Sequence, residues 1–443
     1  MPTLTYLNLY EVRIDDENDE NDDVINGFGS SVDEQGSPLT RLILPAYLKG
    51  IAGSAFIEAN LTGTLEIPEG VTFIGDYAFW DCPFYAEVKL PSTLKRIEPG
   101  AFKDTKIEGE LKLPEGLEYI GEEAFCRGTK FSGSLVLPSS LKFIGDGAFF
   151  ATTFTNDLVI PQGIEMSTGP WGIFSGCLFN HVEFPEGMET IEAGMFTGNP
   201  LQGELLLPSS IKELKHDCFR GTTISSVVLP EGLRLLEKGV FADCNRLEGV
   251  IAIPERIVVI PEETFMGCSL LDGVHLHKDV VFIANGAFRN CYNMNTLVCD
   301  AVTPPVVEEG AFDGVPKDNF SIEVPAEAVS AYKMAEGWKE FKRITAYSNF
   351  VCRPATACAI NTMHEETLIL NADGPWTVSH LPGWCEVTPA SGTGKTSIRL
   401  RINALAQGGE ARKDSVVFTL TGTPFTTYCA VNQQNYEYAE DQL

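Results

Sequence analysis

Apolar and polar positions along most of this chain recur in one unit, seen clearly in IAIPERIVVIPEETF at 251–265. An apolar–x–apolar–Pro run (Ile251, Ile253, Pro254) is followed three and six residues after the Pro by apolar residues (Ile257, Ile260), and eleven after it by Phe265. The same Phe stands at Phe56, Phe79, Phe102, Phe125, Phe149, Phe174, Phe196, Phe219, Phe241, Phe265, Phe288 and Phe312, spaced 22 to 25 residues apart. The Pro column runs Pro45, Pro68, Pro91, Pro114, Pro138, Pro161, Pro185, Pro208, Pro230 and Pro254, with His277 and Asp300 in the next two places. Self-similarity at such a period predicts a solenoid, in which each unit buries its apolar face against its neighbours.

Pro to Phe is eleven residues in ten of twelve units; the exceptions follow Pro161 (thirteen) and Asp300 (twelve), while Phe to Pro varies from eleven to thirteen. Proline lacks an amide donor and fits where a strand ends. Each unit therefore reads as a short strand ending at Pro, a turn, an apolar return segment and a Phe pinned in the core. β-Branched residues and Gly on the return predict turns, short strands or 3₁₀ pieces rather than long helices. In apolar–x–apolar–Pro the two apolar residues point inward, so x points out. The outward column runs Ile43, Glu66, Lys89, Lys112, Val136, Val159, Glu183, Leu206, Val228, Ala252, His275, Val298 and Glu323, and the residue two before each, such as Glu204, shares that face. At about 4.8 Å per strand, some thirteen units span roughly 60 Å. From Val136 to Ala252 the column is mostly apolar, interrupted by Glu183. Exposed contiguous apolar surface marks a contact site, but β-branched residues also suit exposed strands; both readings stay open.

The pattern Cys-x-x-x-x-x-Leu-x-Leu-Pro-x-x-Leu-x-x-Ile-x-x-x-Ala-Phe, met with small changes from Cys126 to Phe149, resembles the BspA-like leucine-rich repeats of bacterial surface proteins over about residues 4–345. The repeats are expected to close at 322–344, where Tyr332, Ala335, Trp338 and Phe341 give one apolar helical stripe able to cover the open end. Beyond Tyr347 the period vanishes. Alternating runs between Gly, Pro and Asn clusters over 349–434 predict a small Ig-like all-β sandwich. Its order resembles the BACON domain of Bacteroidetes secreted proteins, with matches at Trp376, Trp384, Ser391, Gly392, Asn403, Arg412 and Gln433. The expected fold is thus a β-rich leucine-rich-repeat solenoid over 1–345 with a C-terminal helical cap, then the sandwich and a polar tail at 435–443.

Net charge of −29 and a pI near 4.5 argue against nucleic acid as partner. No run of about 18 apolar residues exists to span a membrane. The start, MPTLTYLNLY, lacks the regions of a signal peptide and falls directly on repeat-like sequence, so a targeting segment is expected to have been removed. Of the twelve cysteines, Cys82, Cys177, Cys244, Cys268 and Cys291 each sit three residues after the ladder Phe, where other units place Ala59, Thr105, Gly128, Thr152, Asn199 and Thr222. That is a slot for a small buried side chain, filled by unpaired Cys. Cys352, Cys358, Cys385 and Cys429 lie outside the repeats and are free to pair.

Several motifs weaken on inspection. DDENDENDD, Asp15 to Asp23, lacks the Gly of an EF-hand, leaving a solvated insertion or a loose calcium site. SGTGKTS at 391–397 has Pro389 where a phosphate loop needs Gly and no helix after it, which makes it a β-turn. HEETL at His364 lacks a second His. His275 and His277 fall on one side of a strand, as a metal pair or as scattered histidines. No cofactor or metal site is expected, and no acid, base or nucleophile cluster assembles from the repeats. Trp376 and Trp384 offer stacking faces for a sugar, or core side chains. The family resemblance implies a non-catalytic, secreted or outer-membrane surface-anchored protein that adheres to host extracellular proteins, and the BACON-like module implies glycan or mucin contact. A structural spacer presenting that module is the alternative.

Overall fold

In the computed structural model, residues 42–346 and 351–433 are described apart from 60, 62, 83–86, 354–355, 360–363, 373, 395, 406–410 and 423–425, together with 7–8 and 24–25. The acidic run at 15–23 and the tail at 435–443 lie outside the described residues.

The repeats wind into a parallel β-solenoid of about thirteen turns. One apolar core runs its length from Leu42 to Ile344. The twelve ladder Phe rings stack along it, all buried, with neighbouring centroids 5.2 to 5.9 Å apart and planes within 17°. This spacing falls inside the offset-stacking range for aromatic pairs. The Phe backbone is tied as well. Its N–H donates to the residue just before the next ladder Phe, as from Phe102 to Ala124 O and from Phe265 to Ala287 O at 2.8 and 2.9 Å.

In every one of the twelve turns the residues two before and two after the Phe have positive φ. That chirality disfavours side chains with a Cβ by about 1–2 kcal/mol, so Gly is common there. At Gly172 the need is absolute: a Cβ would lie 2.2 Å from Gly194 O.

Strands occupy two sides of each turn. The first ribbon carries the apolar–x–apolar positions. It is broken into pairs such as Leu65–Glu66 with Val88–Lys89 and Asp157–Val159 with His181–Glu183, and becomes continuous only over five strands from Gly249–Ala252 to Arg343–Ala346. The return path forms a second ribbon of short strands. It runs unbroken over seven strands from Val24–Ile25 to Glu165–Met166, then continues in two groups of three. Its outward residues sit five after the Pro in most units.

The break after Glu165–Met166 has a sequence cause. In the Pro161 unit the strand falls four and five residues after the Pro, and three extra residues then precede the Phe. Asp146, buried, anchors this longer loop: its amide donates to Ser167 Oγ at 2.7 Å, and its carboxylate accepts from the Trp171 and Gly172 amides at 3.1 and 2.9 Å.

At the C-terminal end of the solenoid the expected helical stripe is replaced by one short helix, Val329–Met334. Ala335 turns extended, with ψ 140, and ends it. Trp338 and Phe341 still reach the last ladder ring, Phe312, at centroid distances of 5.9 and 5.3 Å. Tyr332 Oη donates to Ala301 O at 2.9 Å and Trp338 Nε1 to Pro305 O at 2.8 Å, so the buried polar ends are satisfied. Aromatic packing thus does what helical periodicity was expected to do. No described helix is long and apolar enough to cross a membrane.

Residues 351–433 form a four-stranded and a five-stranded sheet, mostly antiparallel, around a second core that includes Leu368, Ile398, Leu400, Val416, Phe418 and Val431.

Candidate functional site: the outward face of the first ribbon

On the first ribbon the N-terminal charges are internally paired. Lys89 lies 3.5 Å from Glu66, Lys112 3.3 Å from Glu110, and His181 2.8 Å from Asp157. Such exposed pairs contribute about 0–1 kcal/mol and leave little free charge for a partner. The apolar stretch is uneven. Val136 and Val159 face each other across a parallel bridge and are 67% and 50% exposed. Glu183, in register with Val159, and Ala252 are exposed, whereas Leu206 and Val228 are half-buried.

Glu204, expected on the outward face, is buried. It keeps its place in the outward column, in register with Ser226 and next to the inward Leu205, and is covered there beside the register shift between Gly203 and Glu204. The stripe therefore narrows to Val136, Val159 and their Glu183 border, with Leu206 and Val228 recessed behind.

The second ribbon carries an outward column that the reading of the return path did not resolve. Arg96 lies over the Tyr119 ring at 3.9 Å, and Tyr119 stacks on Phe143 at 4.9 Å. Farther along, Val259, Phe282 and Val306 are in register, and Val306 is largely exposed. These residues stand five after the Pro in most units, a periodicity as readable as the first column once the return is known to be a strand.

The slot three residues after the Phe is more than small and buried. Cys82, Cys177, Cys244, Cys268 and Cys291 each donate Sγ–H to the preceding ladder Phe carbonyl at 2.9 to 3.1 Å, and Asn199 Nδ2 does the same to Phe174 O at 2.7 Å. Burial pushes the Cys82, Cys177, Cys244 and Cys291 thiols up to about 12, which keeps them neutral and unreactive. Cys352, Cys385 and Cys429, free to pair by sequence, are buried and unpaired among the described residues; the Cys358 side chain lies outside them. The two histidines have separate partners. His275 Nε2 meets Asp300 at 3.2 Å, while His277, buried in the Pro slot, bonds Ile257 O and the Asp279 amide.

In the C-terminal sheets Trp376 is 1% exposed and packs edge-on against Phe418 at 5.7 Å, so it offers no face to a sugar and is a core side chain. Trp384 is half-buried, with Arg412 over its ring at 4.7 Å. Arg412 also donates twice to Gln433 Oε1, at 2.9 and 2.7 Å, and to Asn403 O at 2.9 Å. Four of the matched positions, Trp384, Asn403, Arg412 and Gln433, thus form one bonded corner.

The family model for the BspA type leucine rich repeat region matches residues 34–156, 126–248, 168–295 and 249–322, well over half of the sequence. The chain belongs to this family. BspA-type repeats account for the solenoid up to its last strands. Among solved structures, it is similar to a leucine-rich repeat protein from Bacteroides ovatus ATCC 8483, at 22% identity and TM-score 0.45, covering 68% of this chain and 88% of that one. It is also similar to a leucine rich cell surface protein from Faecalibacterium prausnitzii A2-165, at 20% identity and TM-score 0.35 over 56% and 82% of the two chains. A third likeness is the pneumococcal vaccine antigen PcpA, at 16% identity and TM-score 0.40 over 68% and 80%. No curated protein matches.

Proposed function

We propose that this BspA-type repeat protein is a non-catalytic binding protein, secreted or held at the bacterial surface, that engages a host extracellular protein through the middle of its first ribbon. The observation that supports this most is the exposed pair Val136 and Val159 on a rigid face bordered by Glu183. A contiguous apolar patch rimmed by charge is the surface that a protein partner covers. Family membership supports the setting, and the partner follows from the face rather than from the fold.

The domain reading that goes with it is a repeat solenoid over 1–345 and a BACON-like, Ig-like sandwich over 349–434. Trp384 is the remaining candidate there for glycan or mucin contact. With Arg412 on one of its faces, it serves that role only through the other.

The test uses the full chain as bait in serum or mucus. Replacing Val136 and Val159 together by Lys abolishes capture of a protein partner and leaves the melting temperature nearly unchanged, since both side chains already face solvent. Undiminished capture rejects the reading. If light scattering shows the wild-type chain to be a dimer that the same double change makes monomeric, the face joins copies of this chain instead. The protein then acts as a scaffold presenting its C-terminal module.

A further inference from the structure

The break in the second ribbon opens a cleft of about 400 Å³ between the Pro161 and Pro185 turns, within the range of about 300–1,000 Å³ common to small-ligand sites. It arises because the short strand Glu165–Met166 and its successor Thr190–Ile191 are not joined in one sheet, unlike the seven strands that end at Glu165–Met166. Its lining combines two chemistries. Ile164, Met166 and Met188 supply a flexible apolar wall, and Glu186, Glu189 and Glu192 supply carboxylates.

The carboxylates are not equivalent. Glu189 is paired with Lys212. Glu192 is half-buried, and its enclosed oxygen, Oε2, has no hydrogen-bond partner among the described residues. The nearby Lys215 is committed to Glu213 at 2.9 Å and lies 3.9 Å from Glu237. Burial raises the Glu192 carboxyl above the ordinary range, and Lys215 offsets this only in part. A partly buried carboxylate short of a cation is stabilised by an incoming positive charge, and long basic side chains lay their methylenes on apolar surface while presenting a charged end.

We propose that this cleft binds an alkylammonium or alkylguanidinium group, its methylene stem along Ile164, Met166 and Met188 and its charge against Glu192. The group comes from a lysine- or arginine-bearing peptide or from a free polyamine. The site is independent of the Val136–Val159 face and stands if that face binds nothing.

The experiment records methionine ¹³C-methyl spectra of the full chain while titrating three probes: N-acetyl-Ala-Lys-Ala-amide, cadaverine and pentanol. The Met166 and Met188 methyls shift saturably with a cationic probe, and pentanol acts at least tenfold more weakly. A response to the peptide alone identifies a peptide side chain, a response to cadaverine alone a polyamine, and a response to both the cationic group itself. Glu192→Gln weakens the cationic response at least tenfold. Because removing that carboxylate also alters a packed turn, a second variant, Met188→Lys, places an ammonium in the cleft with Glu192 retained and abolishes the response. No shift, pentanol matching the cations, or a folded Glu192→Gln chain with unchanged affinity overturns the proposal.

Discussion

The two ribbons are built from the same turns, yet they are bonded along the axis in different ways. The second ribbon relies on its backbone ladder, continuous for seven strands. The first ribbon is a series of short pairs until Gly249, and the path leading into it is tied instead by side chains. Cys and Asn donors reach the previous Phe carbonyl, while Thr153 and Thr223 hydroxyls reach the Phe131 and Leu201 carbonyls at 2.7 and 2.9 Å. The difference teaches where sequence variation is tolerated. A backbone ladder accepts any outward residue but no change in length, as the Pro161 unit shows by breaking it. A side-chain tie accepts small changes in length and forms where the slot holds Cys or Asn; Ala59 and Gly128 fill the same slot without one.

If thiols hold the path into the first ribbon, alkaline pH should expose them, and this is the largest effect expected. The buried thiols have folded values raised from the ordinary 9 to about 12. The unfolded chain therefore loses its thiol protons first. Their stabilisation is complete below about pH 9 and is lost progressively as pH rises toward 12, by up to about 4 kcal/mol per thiol. Lysine and tyrosine titrate in the same window, so the comparison is with Cys177→Thr plus Cys244→Thr, which put in the slot the hydroxyl that already fills it at Thr152 and Thr222. The double variant should show a shallower fall in melting temperature between pH 9 and 11. Parallel curves would mean that the thiols do not carry the alkaline sensitivity.

Next in size is the shared core. Phe149→Ala removes a ring stacked between Phe125 and Phe174 and also in edge contact with Phe154. A loss of about 3–5 kcal/mol follows from the cavity and the lost transfer energy, read as a lowered denaturant midpoint. Nearest-neighbour coupling in a solenoid carries this loss to both ribbons. Hydrogen exchange should therefore accelerate at Tyr119–Ile120 and at Asp157–Val159 alike; acceleration on one side alone would separate the ribbons energetically.

What the sequence made legible follows the same division. The Phe column, unbroken over twelve units, and the Pro column, kept in ten of them, each make one demand, for a buried ring and for a strand end, so the solenoid and its inward residues could be read directly. Outward positions follow from alternation, but alternation gives the side and not the exposure: Glu204 keeps its column beside Ser226 and is buried all the same. The second ribbon escaped because two-residue strands are too short to alternate; only alignment of successive units brings Arg96, Tyr119 and Phe143 into one column. The spacing by three from Tyr332 to Phe341 suggested a helix, yet only Tyr332 lies within one. Trp338 and Phe341 were correctly legible as cover for the last ring and wrongly as helix. Nothing in the linear sequence marked Glu192, whose isolation depends on the shortened turn one unit earlier.

The smallest prediction separates the two outward faces themselves. Arg96 on the second ribbon lies over Tyr119 and donates to Glu98 at 2.6 and 3.2 Å, whereas Lys89 on the first reaches Glu66 at 3.5 Å with both side chains largely in solvent. A cation over an aromatic face at a partly exposed site contributes about 0.5–1 kcal/mol, and planar guanidinium stacking does not transfer to an ammonium. Arg96→Lys should therefore lower stability by several tenths of a kcal/mol, while Lys89→Arg or Lys89→Ala changes it by less than about 0.5 kcal/mol. Urea midpoints at low and high salt discriminate further, because screening weakens an exposed ion pair and leaves stacking largely intact. An Arg96 effect that vanishes in 1 M salt would mean that the Tyr119 ring contributes nothing and that both faces are held by the core alone.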